Sequence, residues 1–214
     1  TGFNPADMYA VDHIRRVLET YPGVFTGIGE FTIHKEFVSS KVAGDTASLT
    51  DPALDRLLDF AGKVGLVVIL HNDIDMPFAK TGAEPIFLTQ MKDLLRRHPK
   101  TTIVWAHLGL SDPTLSHVYF DISWDEVAKY AVSSPEATSN TVAMLNRYPD
   151  RIMFGTDNVA PPDQATQLRV FNLWDPIWTQ LTPEASLKIR KGNYERIFDT
   201  ARVRVREWER ANVK

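Results

Sequence analysis

Cysteine is absent from the 214 residues, which excludes a disulfide-stapled scaffold and any zinc or iron–sulfur site built on thiolates. An excess of charge of one sign is lacking as well. The 24 Lys+Arg stand against 27 Asp+Glu, a formal net charge of -3, with no basic block. The chain thus carries no electrostatic footprint for nucleic acid or an anionic membrane. Long apolar runs are missing too: Leu66–Leu70 is the longest, far short of the roughly 20 residues a membrane-spanning helix needs. No signal peptide opens the chain, and a cytoplasmic location is the expectation. Thr1 is not a natural initiator, so the natural N-terminus is expected further upstream. What the chain does have is 43% hydrophobic residues, enough to bury a sizeable core.

Five short β-rich runs stand out: Val24–Glu30, Leu66–His71, Thr102–His107, Val118–Ile122 and Ile152–Asp157. Most are continuously apolar rather than alternating, the pattern of parallel strands covered on both faces. Helical patterns lie between most of them. Asp51-Pro52 supplies an N-cap and a proline in the first turn, and Leu54, Leu57, Leu58 and Ala61 follow on one face. Asn4-Pro5, Ser134-Pro135 and Thr182-Pro183 repeat that start signal. The stretch Asn4–Tyr21 reads as a helix with Met8, Val11, Ile14 and Leu18 on its face. Ile86–His98 reads as another, with Phe87, Met91, Leu94 and Leu95 aligned until Pro99 stops it. Strands alternating with helices define an α/β protein with a mainly parallel sheet. With no linker or low-complexity segment, residues 1–214 read as a single domain.

The unit spacing bears on open sheet against closed barrel. Glu30 to His71 is 41 positions, His71 to His107 is 36, and Ile122 to Asp157 is 35. A (β/α)₈ barrel of ~250 residues implies ~31 per unit, and a doubly wound sheet has similar spacing. No G-x-G-x-x-G follows a strand and no G-x-x-x-x-G-K-[ST] occurs, which weakens nucleotide-binding folds. Only ten residues separate His107 from Val118, and Gly109, Asp112 and Pro113 argue against a helix there.

The informative regularity is how the strand runs end: in Glu30, His71, His107 and Asp157. Polar residues terminating apolar strands project from the C-terminal rim of the sheet, where barrels build their active sites. Two imidazoles and two carboxylates make a mixed nitrogen and oxygen donor set. It suits zinc, or manganese and iron where oxygen ligands are more numerous.

Gly-Ile-Gly-Glu-Phe (27–31), Val-Val-Ile-Leu-His-Asn (67–72), Ile-Val-Trp-Ala-His-Leu-Gly (103–109), Phe-Gly-Thr-Asp-Asn (154–158) and Gly-Asn-Tyr-Glu-Arg-Ile-Phe (192–198) occur in this order. Together they make the chain resemble the amidohydrolase superfamily of metal-dependent (β/α)₈ TIM-type barrels, from about residue 20 to 200. The branch it resembles most contains ester and lactone hydrolases and non-oxidative decarboxylases. The resemblance implies a divalent metal, with His71 and His107 as the histidines of strands five and six. It makes Asp157 the catalytic carboxylate ending strand eight, touching the metal and shuttling a proton of its water. Glu30 matches the strand-four position, used as a metal ligand in some relatives such as TatD-type nucleases and held by other residues elsewhere. Gly192, Asn193 and Arg196 fit a motif that ties the last helix to the barrel.

One hallmark is missing: the His-x-His of strand one. The six histidines are His13, His34, His71, His98, His107 and His117, none two apart. Nothing before Val24 reads as a strand, so strands one to three are expected to lie outside this chain. Three units of ~31 residues would restore a total near 300.

Substrate contacts are assigned more openly. His34 and Lys35 either reach a substrate carboxylate or are plain loop residues. Asn72 and Asn158 either orient substrate or cap turns. Ser123, Trp124 and Asp125 follow the strand ending at Ile122 and line the mouth, with Trp124 an apolar wall or a helix-start packing residue. Arg202, Arg204, Arg206 and Arg210 interleave with Glu207 and Glu209 as a solvated helix face. The leading expectation is hydrolysis of an ester, lactone or amide of a small molecule, with no nucleic acid or membrane partner and homo-oligomerisation left open. The alternatives are non-oxidative decarboxylation of an unsaturated or aromatic acid at the same site, and a catalytically silent barrel acting as a binding module.

Overall fold

The computed structural model describes residues 4–34, 47–74, 82, 84–107, 117–158 and 160–213. They group into two compact units, one of Thr1–Trp105, Gly109–Val118 and Ile197–Lys214, the other of Ala106–Leu108 and Tyr119–Arg196. All strand pairings among the described residues are parallel. No helix among them is long and apolar enough to cross a membrane.

The first unit contains α1 (Ala10–Thr20), β1 (Gly27–Thr32), α2 (Pro52–Val64), β2 (Val67–His71), α3 (Ile86–Arg97) and β3 (Thr102–Trp105). β1 pairs with β2 from Gly27↔Val67 to Thr32↔His71, and β2 with β3 from Val67↔Thr102 to Leu70↔Trp105. α2 starts where its signals place it. The Asp51 carboxylate accepts the Ala53 N–H at 2.8 Å, and left-handed Gly65 closes the helix. Leu54, Leu57, Leu58 and Ala61 are fully buried, each leucine contributing about 1.5–3 kcal/mol of transfer free energy. Val67, Val68, Leu70, Ile103, Val104 and Trp105 are buried too, as strands covered on both faces require.

Two expectations fail here. The helix expected from Asn4 begins at Ala10. The side-chain Oδ1 atoms of Asn4 and Asp7 instead accept the Ala6 and Tyr9 N–H groups, both at 2.9 Å, so local side-chain turns win over the helix. β1 begins at Gly27, not Val24, and runs past Glu30 to Thr32. Its register shifts between Ile28 and Phe31, at Gly29 with φ 125°, an irregularity that re-aims Glu30. A Cβ at Gly29 would stand 2.5 Å from the Ile69 carbonyl oxygen, so only glycine fits.

In the second unit β4 (Val118–Asp121) pairs with β5 (Ile152–Met153) through Phe120↔Ile152 and Asp121↔Met153. Then come α4 (Asp125–Ala131), α5 (Pro135–Arg147), α6 (Gln164–Asn172), α7 (Asp175–Trp178), α8 (Pro183–Leu187) and a π-helical turn, Lys188–Gly192. Both α4 and α5 lie between β4 and β5 in the chain, and the rest follow β5. Ser134 and Thr182 cap α5 and α8 through the Ala137 and Ala185 N–H groups, as their Ser-Pro and Thr-Pro pairs imply. Ile122, Leu145, Ile152, Trp174, Ile177 and Ile189 form the core. β5 is shorter than the run Ile152–Asp157, because the Phe154 N–H leaves the ladder for the Ile189 carbonyl at 2.9 Å.

The final helix, α9 (Asn193–Asn212), begins in the second unit and ends in the first. Asn193 donates to the Pro149 and Ile152 carbonyls at 2.6 and 2.8 Å, and Arg196 to the Asp150 carbonyl at 3.0 Å. The Gly-Asn-x-x-Arg motif is therefore a structural tie. The solvated-face expectation holds for Arg202, Arg204, Glu207 and Arg210, which are exposed, and fails for half-buried Arg206 and buried Glu209. Arg204 donates to the Gly62 carbonyl at 2.9 Å and Arg206 to the Phe25 carbonyl, while buried Glu209 accepts the Gly23 N–H at 3.1 Å. Arg202 does stay at the surface, on Asp199.

Candidate active site

In the first unit His71 ends β2 and is buried. Its Nδ1 lies 3.0 Å from Glu30 Oε1, and its Nε2 lies 3.8 Å from Asp73 Oδ1. A separation of 3.0 Å suits a hydrogen bond that orients the ring. It also suits two donors of one ion, since bonds of about 2.0–2.2 Å set neighbouring ligand atoms roughly 3 Å apart.

The expected substrate residues of this unit carry structural duties. The His34 ring stacks on Phe87 at 3.8 Å and 8°, and its carbonyl accepts the Asp73 N–H at 2.8 Å. Asn72 is buried, accepts the Trp105 indole N–H on its backbone oxygen at 3.0 Å and donates to the Asp73 carbonyl. Its Oδ1 is buried with no hydrogen-bond partner among the described residues, an acceptor left over for a ligand. Lys35, like residues 108–116, lies outside the described residues.

In the second unit His107 lies just past β3, and its Nε2 faces Asp157 Oδ2 at 3.8 Å. That is too long for a direct hydrogen bond and suits two groups sharing an ion or a water. Asp121, the last residue of β4, accepts the His107 N–H at 3.2 Å, the Ser123 N–H at 3.0 Å and the Ser123 hydroxyl at 2.5 Å. Ser123 Oγ also meets His107 Nδ1 at 3.0 Å. The Trp124 ring is tilted against that imidazole at 5.5 Å. Asn158 donates to the Thr166 carbonyl of α6 at 3.5 Å.

The backbone marks the same place. His107 (φ 59°), Trp124 (φ 81°), Asp157 (φ 44°) and Ala160 (φ 47°) are the non-glycine residues at positive φ among those described. For a residue as large as Trp124 this is a true outlier, and such strain gathers at functional sites. Asp73, Asp121 and the role of Ser123 escape sequence reasoning. The available signal was Asp121 itself, a carboxylate inside the apolar run Val118–Ile122.

Parallel strands bearing imidazoles and carboxylates at their C-terminal ends are the arrangement of a (β/α)-barrel enzyme. Residues 12–200 match the amidohydrolase family model, and the chain belongs to that family. Among solved structures it is similar to an uncharacterized TIM-barrel protein of Bordetella bronchiseptica, with 20% identity, a TM-score of 0.50, and coverage of 92% of this chain and 73% of that one. It is similar to dihydroorotase of Campylobacter jejuni at 13% identity and TM-score 0.55, over 93% and 63% of the two chains. A third is 2,6-dihydroxybenzoate decarboxylase of Rhizobium, at 14% identity and TM-score 0.50, over 89% and 67%. The chain thus spans about two thirds to three quarters of these proteins. Comparison with curated proteins returns no match.

Proposed function

We propose that this protein, as a single barrel domain, is a metal-dependent hydrolase acting on an ester, lactone or amide of a small molecule. The observation that carries the reading is the pairing of His107 Nε2 with Asp157 Oδ2 across 3.8 Å, on a backbone held at positive φ. The ligand set follows from the family motifs: His71, His107 and Asp157, with Glu30 as a ligand or as the carboxylate that orients His71. Donors of this kind, without thiolate, fit zinc first, and manganese or iron next. When bound, such an ion polarises the carbonyl and brings the pKa of water toward ~7.

The remaining work falls to the chain's own groups. Asp157 Oδ2 takes the proton of the attacking water and hands it to the leaving group. Trp124 supplies an apolar wall beside His107 and limits access of bulk water. The spare acceptor of Asn72 is available to a donor on the substrate.

The test is a panel of lactones, esters, amides and aromatic acids, offered to the protein reconstituted with zinc, manganese or iron. Proton release and carbon dioxide are recorded in parallel. Proton release with a lactone, ester or amide, lost in Asp157→Asn, is the predicted result. Carbon dioxide from an aromatic acid would replace hydrolysis by decarboxylation. Silence across the panel in a metal-loaded protein would overturn the enzymatic reading.

A further inference from the structure

We infer that Asp121 and Ser123 are positioning residues that lock His107 as the tautomer protonated on Nδ1, with its lone pair on Nε2. The inference rests on the proposal that His107 faces a metal. It follows from counting protons. Asp121 Oδ1 is met by three groups: the His107 N–H (3.2 Å), the Ser123 N–H (3.0 Å) and the Ser123 hydroxyl (2.5 Å). The first two can only donate, so this oxygen is an acceptor. A carboxylate oxygen at 2.5 Å claims the single hydroxyl proton of Ser123 in a short, charge-assisted hydrogen bond.

Ser123 Oγ then has only lone pairs left for His107 Nδ1 at 3.0 Å. Of the other described groups near that nitrogen, the Ser123 carbonyl oxygen at 3.3 Å can only accept, and Asp121 Oδ1, farther off at 3.8 Å, is itself an acceptor. Two acceptors converge on Nδ1, so Nδ1 carries the hydrogen, and in the neutral ring Nε2 carries the lone pair. The opposite tautomer would set a ring lone pair against both oxygens, and only breaking the Ser123–Asp121 bond could relieve one of them.

The fold holds each member of this relay from outside it. Asp121 is fixed in the ladder opposite Met153. Behind Ser123, a Cβ on Gly155 would stand 3.1 Å from the Ser123 Cβ, so the neighbouring backbone closes in on that side chain. His107 and Trp124, at either end, are held at φ 59° and 81°. A ligand histidine whose other nitrogen donates to an oriented acceptor keeps its ring direction and gains basicity, and losing that partner typically lowers metal affinity 10–100-fold.

The test uses the full chain with ¹⁵N-labelled histidine, metal-free and at pH 9, and long-range ¹⁵N–¹H correlation of His107. The expected signature is a protonated Nδ1 and an unprotonated Nε2, shifting toward a mixture in Ser123→Ala. Zinc affinity, measured by chelator competition, should fall roughly 10–100-fold in Ser123→Ala. Asp121→Asn, which keeps an acceptor oxygen, should fall less than Asp121→Ala. A proton on Nε2 of the wild-type ring overturns the inference. So does Ser123→Ala that binds zinc as tightly as wild type with an unchanged spectrum. If wild type shows the Nδ1–H signature and binds no zinc, the tautomer lock stands and the metal reading fails.

Discussion

At the scale of single residues, Trp124 shows how the site is made. Its place after β4 marks it as a mouth residue from sequence, but its φ of 81° is a property of the fold. Strain of this kind costs of order 1–3 kcal/mol and persists only where surroundings enforce it. Trp124→Gly releases that strain while giving up the ring. The melting temperature should therefore move by only a few degrees, while kcat/KM falls at least about tenfold as the wall beside His107 disappears. Thermal melts and steady-state kinetics of the one variant check both halves. Asp157→Asn keeps the shape and removes the proposed base, so kcat should drop by about 10²–10⁴. The placement of His71, His107 and Asp157 at or beyond strand ends was legible because each closes an apolar run. The Asp121–Ser123 relay was not, since it depends on proton counting among groups whose distances no sequence states.

At the scale of elements, β1 and the α2–α3 pair make separate predictions. Gly29→Ala brings a Cβ within 2.5 Å of the Ile69 carbonyl oxygen at a φ of 125°. Overpacking and backbone strain together should cost about 2–4 kcal/mol, read as a lower urea midpoint. α2 is bonded to the end of α3 by buried His98, whose Nε2 meets Asp55 Oδ1 at 2.6 Å and whose Nδ1 meets Asp59 at 2.9 Å. Arg97 joins Asp55 at 2.9 Å. Burial alone would raise the Asp55 pKa, but the hydrogen bonds from His98 and Arg97, and their charge, outweigh it and hold the carboxyl below its ordinary 3.8.

The sign follows directly. A depressed folded-state pKa contributes stability that is full above 3.8 and is lost as pH falls through the lower, folded value. Asp55→Asn should therefore lower the urea midpoint at pH 6 and narrow the gap between mutant and wild type below pH 3. α2, α5 and α8 were legible because cap and proline sit together at each start. The β1 irregularity and the Arg204 and Arg206 anchors were not. They are set by partners more than 100 positions away in the arginines' case, and by strand contact in the other.

At the scale of the whole molecule, family membership and parallel pairing agree with the α/β reading, and the abundance of apolar strand runs explains why that much was legible. The assignment of residues to two compact units was not, because no linker or low-complexity segment marks it in the sequence. A metal that binds only the folded state links function to stability. At a free concentration 100 times its Kd, an ion should stabilise the protein by about 2.7 kcal/mol. Chelation should lower the melting temperature, and added zinc should restore it.

Metal content is the most direct check on the central claim. The wild-type protein, His71→Ala, His107→Ala and a surface control, Arg202→Ala, would be reconstituted in parallel with zinc, dialysed and assayed by mass spectrometry. Stoichiometric zinc in wild type and Arg202→Ala, with marked loss in both histidine variants, is the predicted result. Undiminished zinc in folded His71→Ala and His107→Ala, or none in wild type, would contradict it.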